Sequence, residues 1–213
     1  MTFIKIKEIF KKGPKEAQIR GWVYRHRASK KVIFVMVRGS SGVIQCTFKK
    51  GDVPDEIFEK AENLMIESSV KIKGKVKKDE RAPGGYEING KELEVFHRAE
   101  RFPIVKDKST EFLRDVRHLW IRSRKMTAVM KIRDTIYDAT REFMKKMDCY
   151  EIEPPIFTSV GSEGGSTLFE LDYFGKNMYL TQSWQLYAEA LIFALERIYT
   201  ISPCFRAEKS KTS

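Results

Sequence analysis

The feature that most limits how this chain can fold is a series of short, alternating segments in its first hundred residues. Residues 19–27 and 32–38 are rich in β-branched and aromatic side chains that alternate with polar ones, the pattern of half-buried strands. Gly39, Ser40, Ser41 and Gly42 supply a tight turn, and residues 43–48 continue as a third strand. Residues 54–64 form a short helix with Ile57, Phe58, Ala61 and Leu64 on one face. Val70, Ile72, Gly74 and Val76 alternate with lysines, so the fourth strand has a basic outer face. A loop over 79–85 leads to the last strand, 86–96. Five strands with a helix between the third and fourth predict a small barrel of the OB type.

Charge and cysteine usage narrow the classes of function. A formal charge of +11 and a pI near 9.5 favour a polyanionic partner, although a solvated basic surface gives the same excess. Cys46, Cys149 and Cys204 are odd in number, far apart and without a paired metal spacing. That argues against a disulfide framework or a zinc knuckle and fits a reducing cytoplasm, with Cys149 and Cys204 read as small core residues. No apolar run approaches the roughly 20 residues needed to cross a bilayer. The N-terminus lacks the apolar core of a signal peptide, so the expectation is a cytoplasmic protein with no membrane partner.

A barrel with this surface suits single-stranded nucleic acid, whose bases stack on exposed aromatics while basic side chains hold the backbone. Tyr24, Arg25, His26, Arg27, Lys30, Lys31 and Phe34 supply that mixture on the first two strands and their loop. The pattern alone leaves Phe34 either a base-stacking or a core residue.

The character changes over residues 97–124, where charged residues and Pro103 suggest a linker. A domain boundary near 104 divides the chain into 1–104 and 105–213. Residues 125–147 form an amphipathic helix with Ile132, Ile136, Ala139, Phe143 and Met147 at helical spacing. Its period does not say whether that face meets a core or an interface. Beyond it stand a strand segment ending in Pro154 and Pro155, and a glycine-dense loop over 161–166 with one carboxylate, Glu163. Residues 178–181 read as a strand, and a helix runs from about 182 to 196 with Ser183 as a possible cap. The glycine loop can move and close over a substrate. It is not a phosphate-binding P-loop, because no lysine follows at the required spacing.

Three pieces together carry a resemblance: the loop at 161–169, the run Thr181, Gln182, Ser183, Trp184, Gln185, Leu186, Tyr187, Ala188, Glu189, and the tetrapeptide Phe205, Arg206, Ala207, Glu208. They resemble the class II aminoacyl-tRNA synthetases of the subgroup that charges aspartate, asparagine or lysine, the archaeal and eukaryotic asparaginyl branch most of all. The segment from Gly21 to Arg27 with Ile33, Phe34 and Gly42 to Gln45 is similar to that subgroup's anticodon-binding barrel. The resemblance implies an α+β architecture, an OB-fold barrel followed by the first part of an antiparallel catalytic sheet. It also implies a homodimer built on the long helix and on Pro155. Phe34 would stack on an anticodon base, with Arg27 and Gln45 contacting the anticodon. Glu163 would hold the substrate's α-ammonium. Ser183, Gln185 and Glu189 would wall the amino-acid site, Arg206 would grip the ATP α-phosphate, and Glu208 would recognise adenine.

The activity so implied is ligation of L-asparagine to tRNA(Asn) with ATP and Mg2+. No metal ligand is assigned in this chain; the carboxylates that hold Mg2+ are expected beyond residue 213. The family's aspartate-specific members carry a lysine where this chain has Ala188. A buried aspartate carboxylate without that lysine would lose its counter-charge, at a cost of about 3–5 kcal/mol. Glu189 would repel aspartate yet accept a hydrogen bond from an amide NH2. Two alternatives stand: an aspartate-specific enzyme with relaxed tRNA choice, and a tRNA-binding module without chemistry. Because the resemblance breaks off inside the ATP motif, the chain by itself is expected to be inactive in aminoacylation.

Overall fold

A computed structural model describes residues 2–104, 109–160 and 167–208, which fall into two units, Met1–Val116 and Arg117–Ser213. The first is built on a closed barrel of β1 (Glu16–Ala28), β2 (Val32–Gly39), β3 (Gly42–Lys49), β4 (Ser69–Lys78) and β5 (Tyr86–His97), in the order β1-β2-β3-β5-β4. Closure depends on β1, which pairs with β4 through Glu16 to Trp22 and with β2 through Trp22 to Ala28. A register shift between Val23 and Arg25 bends it from one partner to the other, the usual use of a bulge at a barrel corner. At that corner a Cβ on Gly21 would lie 2.3 Å from the Arg38 carbonyl oxygen, so no larger residue fits.

The alternation anticipated from the sequence sets the core. Val23, Ile33, Val35, Val37, Ile44, Cys46, Phe48, Val70, Ile72 and Ile88 are all fully buried. Two helices stopper the barrel. The helix α2 (Asp55–Glu62), anticipated over 54–64, buries Phe58 and Ala61. The other, α1 (Ile6–Lys12), was not anticipated; seven residues are too few for periodicity to declare a helix, yet Ile6 and Ile9 are core residues. Within 97–124, read as a linker, two short helices form: α3 (Thr110–Asp115), capped by Ser109, and α4 (Arg117–Trp120).

In the second unit, α5 (Arg124–Lys146) begins at Ser123, whose hydroxyl accepts the Met126 N–H at 3.3 Å. There follow β6 (Tyr150–Glu151), β7 (Phe157–Thr158), β8 (Glu170–Tyr173), β9 (Lys176–Leu180), α6 (Gln185–Leu195) and β10 (Ile198–Tyr199). The sheet β7-β9-β8 is antiparallel, and β6 pairs with β10 in parallel. Arg141 of α5 and the Tyr199 hydroxyl both donate to the Glu151 carboxylate, tying α5, β6 and β10 together.

Three sequence expectations need correcting. Phe205 to Glu208, which the resemblance implies is the opening strand of the ATP motif, is not a strand; Phe205 N and Ala207 N bond to the Thr181 and Thr167 carbonyls. Trp184, not Ser183, is the N-cap of α6, although the Ser183 hydroxyl does accept the Gln185 N–H at 3.2 Å. Of the cysteines only Cys46 is core; Cys149 is half-buried and Cys204 exposed.

Candidate functional site

The barrel presents one organised polar face. Residues paired directly across strands point to the same side, and Phe34 sits between Arg27 on β1 and Thr47 on β3. One row along, Met36 sits between Arg25 and Gln45. On the far side of β3, Gln45 pairs with Glu87 and Thr47 with Asn89. The three residues expected to meet an anticodon, Arg27, Phe34 and Gln45, therefore fall on adjacent rows of one surface. Phe34 is half-buried on the outer face while Ile33 and Val35 fill the core, so Phe34 is not a core residue.

Chemistry on this face is concentrated at its centre. The Gln45 amide donates to Glu87 at 3.1 Å, and the Thr47 hydroxyl donates to Asn89 at 2.8 Å. Glu87 and Thr47 are polar yet buried, and a buried polar group costs stability unless it is partnered. Such groups, held in fixed orientation beside an aromatic ring, are suited to reading the edge of a base. Sequence reasoning missed Glu87, Thr47 and Asn89. Strand alternation marked them as outward-facing, but only the parallel β3–β5 pairing brings them to Gln45. Burial, with the Glu87 carboxylate adding, pushes the neighbouring Cys46 thiol far above its usual range, so it stays protonated and inert.

The other aromatic and basic candidates divide. Arg25 and Arg38 lie 5.6 and 5.9 Å from the Tyr24 ring centre. Arg38 also grips Glu67 through two hydrogen bonds of 2.8 and 2.9 Å, a structural clamp. His26 turns inward to the Ala61 carbonyl of α2, so it serves the fold. Trp22 is 49% exposed.

In the second unit the start of α6 and the 205–208 segment meet around two threonines. Gln182 donates to the Thr167 hydroxyl at 2.6 Å, while the Thr167 carbonyl receives the Ala207 N–H and the Thr181 carbonyl receives the Phe205 N–H. Arg206 and Glu208 are thereby set beside the entry to α6. Their charged groups stand 3.9 Å apart, too long for a direct hydrogen bond. On α6, Gln185 donates to one Glu189 oxygen at 2.9 Å, fixing a carboxylate whose other oxygen is available as an acceptor. Ala188 lies beside them and brings no charge. Pro155 is exposed between β6 and β7, and Glu163 lies outside the described residues.

Residues 109–213 match the class II tRNA synthetases of the D, K and N type, and residues 17–96 match the OB-fold nucleic acid binding domain. The chain belongs to this synthetase family. Within it, the chain is 49% identical over 197 residues to the asparagine–tRNA ligase of Thermoplasma acidophilum, covering 92% of this chain and 46% of that protein. It is 48% identical to the Thermococcus kodakarensis asparagine–tRNA ligase, again over 46% of that protein. The crystal structure of asparaginyl-tRNA synthetase from Pyrococcus horikoshii complexed with asparaginyl-adenylate superposes with a TM-score of 0.92 at 44% identity, covering all of this chain and 50% of that one. The chain thus spans about half the length of the relatives it matches.

Proposed function

We propose that the complete protein to which this chain belongs ligates L-asparagine to tRNA(Asn) through an aminoacyl-adenylate made from ATP. The observation that carries this reading is the α6 triad of Gln185, Ala188 and Glu189. A carboxylate fixed by a neighbouring amide, with no lysine beside it, is complementary to a side-chain amide and repels a side-chain carboxylate. Ser183 lines the same wall. Arg206 holds the α-phosphate, where a planar guanidinium can take two oxygens at once and stabilise the charge developing in adenylate formation. Glu208 recognises adenine, and Glu163 receives the substrate ammonium.

In this reading residues 1–104 form the anticodon-binding domain and 105–213 the first part of the catalytic domain. Arg27, Phe34 and Gln45 contact the anticodon, with Glu87, Thr47 and Asn89 completing the base-reading wall. The protein acts as a homodimer through α5 and Pro155; the exposure of Ile132, Ile136, Phe143 and Met147 along α5 supports an apolar partner surface. Mg2+ accompanies ATP. Among the described residues no group of three or more histidine, cysteine or acidic side chains could hold a metal, so no ligand to it is assigned. A cytoplasmic location completes the reading, supported by three free thiols and, among the described residues, no helix long and apolar enough to cross a membrane.

Amino-acid-dependent ATP–pyrophosphate exchange by the full-length gene product, with asparagine and aspartate side by side, tests the proposal. Exchange with asparagine alone is the expected result. Exchange with aspartate would mean that another cation replaces the missing lysine. No exchange with either would leave a tRNA-binding module.

A further inference from the structure

The two ends of the barrel arrange their charges differently, and the α2 end mixes acids with Lys49, Lys50 and Lys91. At the α2 end, Asp55, Glu56, Glu59 and Glu62 stand against Lys60 on one short helix. The groove beside that helix is lined by Glu56, Glu59 and Glu94, with Lys60 and Arg98. At the α1 end lysines predominate, with Glu8, Glu16 and Glu80 among them. Lys11 and Lys15 flank the C-terminus of α1, Lys75, Lys77 and Lys78 close β4, and Arg81 stands on the loop that follows. On the upstream half of β4 the lysines are neutralised, Lys71 by Glu94 and Lys73 by Glu92. Lys11, Lys15, Lys75, Lys77 and Lys78 are exposed and make no ion pair among the described residues.

This basic end is rigid. A Cβ on Gly84 would come within 2.5 Å of the Phe10 ring, and one on Gly13 within 2.9 Å of the Tyr86 hydroxyl, so α1 and the β4–β5 loop are packed hard against each other. The loop closes on itself through Asp79 N to the Gly85 carbonyl at 3.0 Å, and Asp79 holds Arg81 through its side chain. The same end is continuous with the base-reading face: Lys77 pairs across β4–β5 with Glu87, and Lys75 with Asn89. The two cross-strand rows thus run from Arg25 and Arg27 at one margin, through the aromatic and amide groups, to Lys77 and Lys75 at the other.

We propose that the α1 end of the barrel, Lys11 and Lys15 with Lys75, Lys77, Lys78 and Arg81, is a phosphate-binding surface that holds the backbone of the RNA stem next to the bases read on the β1–β2–β3 face. The packing fixes the backbone that carries these lysines, so only their side chains are ordered on binding. The proposal rests on the anticodon reading above.

The test compares the chain with a Lys11→Ala, Lys15→Ala, Lys77→Ala variant and, separately, with Phe34→Ala. Each is titrated with tRNA(Asn) and with the single-stranded heptanucleotide of its anticodon loop, at several salt concentrations. The lysine variant should bind tRNA roughly tenfold more weakly, with a log–log salt slope lower by about 2, while heptanucleotide binding is unchanged. Phe34→Ala should weaken both ligands. Unchanged tRNA affinity and slope in the lysine variant would overturn the surface while leaving the base-reading face intact. Equal losses for tRNA and heptanucleotide would also overturn it, since the lysines would then act on the loop. Binding of neither ligand by the parent chain would remove the anticodon reading and this proposal with it.

Discussion

The barrel and the unit that follows it use apolar residues in opposite ways. In the barrel nearly every β-branched side chain on the inner face is fully buried, and its large exposed apolar residues are only Phe3, Trp22, Ile66 and Phe96. In the second unit the only buried residues among those described are Thr181 and Tyr199, while Ile132, Ile136, Phe143, Phe174, Phe193 and others stand open. Composition does not separate the two; topology does. A closed barrel buries its inner face with its own five strands and two stoppers. A three-stranded sheet with one long helix has faces and edges that only further elements or a second copy can cover. The first unit is a finished module, and the second is a scaffold whose stability depends on what is packed against it.

The largest effect that could break this contrast comes from separating the units. Residues 1–116 alone should unfold in one cooperative urea transition and bind little of a hydrophobic dye. Residues 117–213 alone should show no cooperative transition and should bind the dye strongly. Equal cooperativity in both pieces would contradict the contrast. Point changes sharpen it. Phe48→Ala empties a fully buried site and should cost about 3–5 kcal/mol by equilibrium denaturation. Ile136→Ala, on the open face of α5, should change the same chain's stability by less than about 0.5 kcal/mol.

Phe34→Ala should separate function from fold inside the barrel. Its ring faces outward, so stability should hardly move. Affinity for tRNA(Asn) should fall by about 1–3 kcal/mol, roughly tenfold to a hundredfold, as measured by filter binding.

The smallest effect is the Lys73–Glu92 pair. The hydrogen bond from Lys73 holds the Glu92 carboxyl below its ordinary range, and the same contact holds the Lys73 ammonium above its own. The stabilisation is therefore present above the free carboxylate value near 4.3, is lost as pH falls further, and is lost again above the free lysine value near 10.4. Both groups face water, so Glu92→Gln should shift the melting temperature barely measurably at pH 7 and by less still at pH 3.

Much of this organisation was legible in the sequence, for identifiable reasons. The strands of the barrel declared themselves because each has one wet and one dry face. The 23 residues of α5 are long enough for their period to stand out. Helix α1 stayed hidden because its two core residues, Ile6 and Ile9, sit in a lysine-rich stretch too short for a period. The central polar groups of the barrel's outer face stayed hidden for another reason: Glu87 and Asn89 reach Gln45 and Thr47 only through a parallel pairing some forty residues apart in sequence, which no local pattern encodes. The exposure of Cys204 was misjudged on residue type alone, where the surrounding packing decides.

The most direct test of the division between a self-covered barrel and an open second unit uses the 213-residue chain itself. Binding of tRNA(Asn) and asparagine-dependent ATP–pyrophosphate exchange would be measured on the same preparation. The account predicts saturable tRNA binding with no exchange above background. Exchange by this chain would contradict it by showing that the second unit is catalytically sufficient, and absence of tRNA binding would contradict it from the other side.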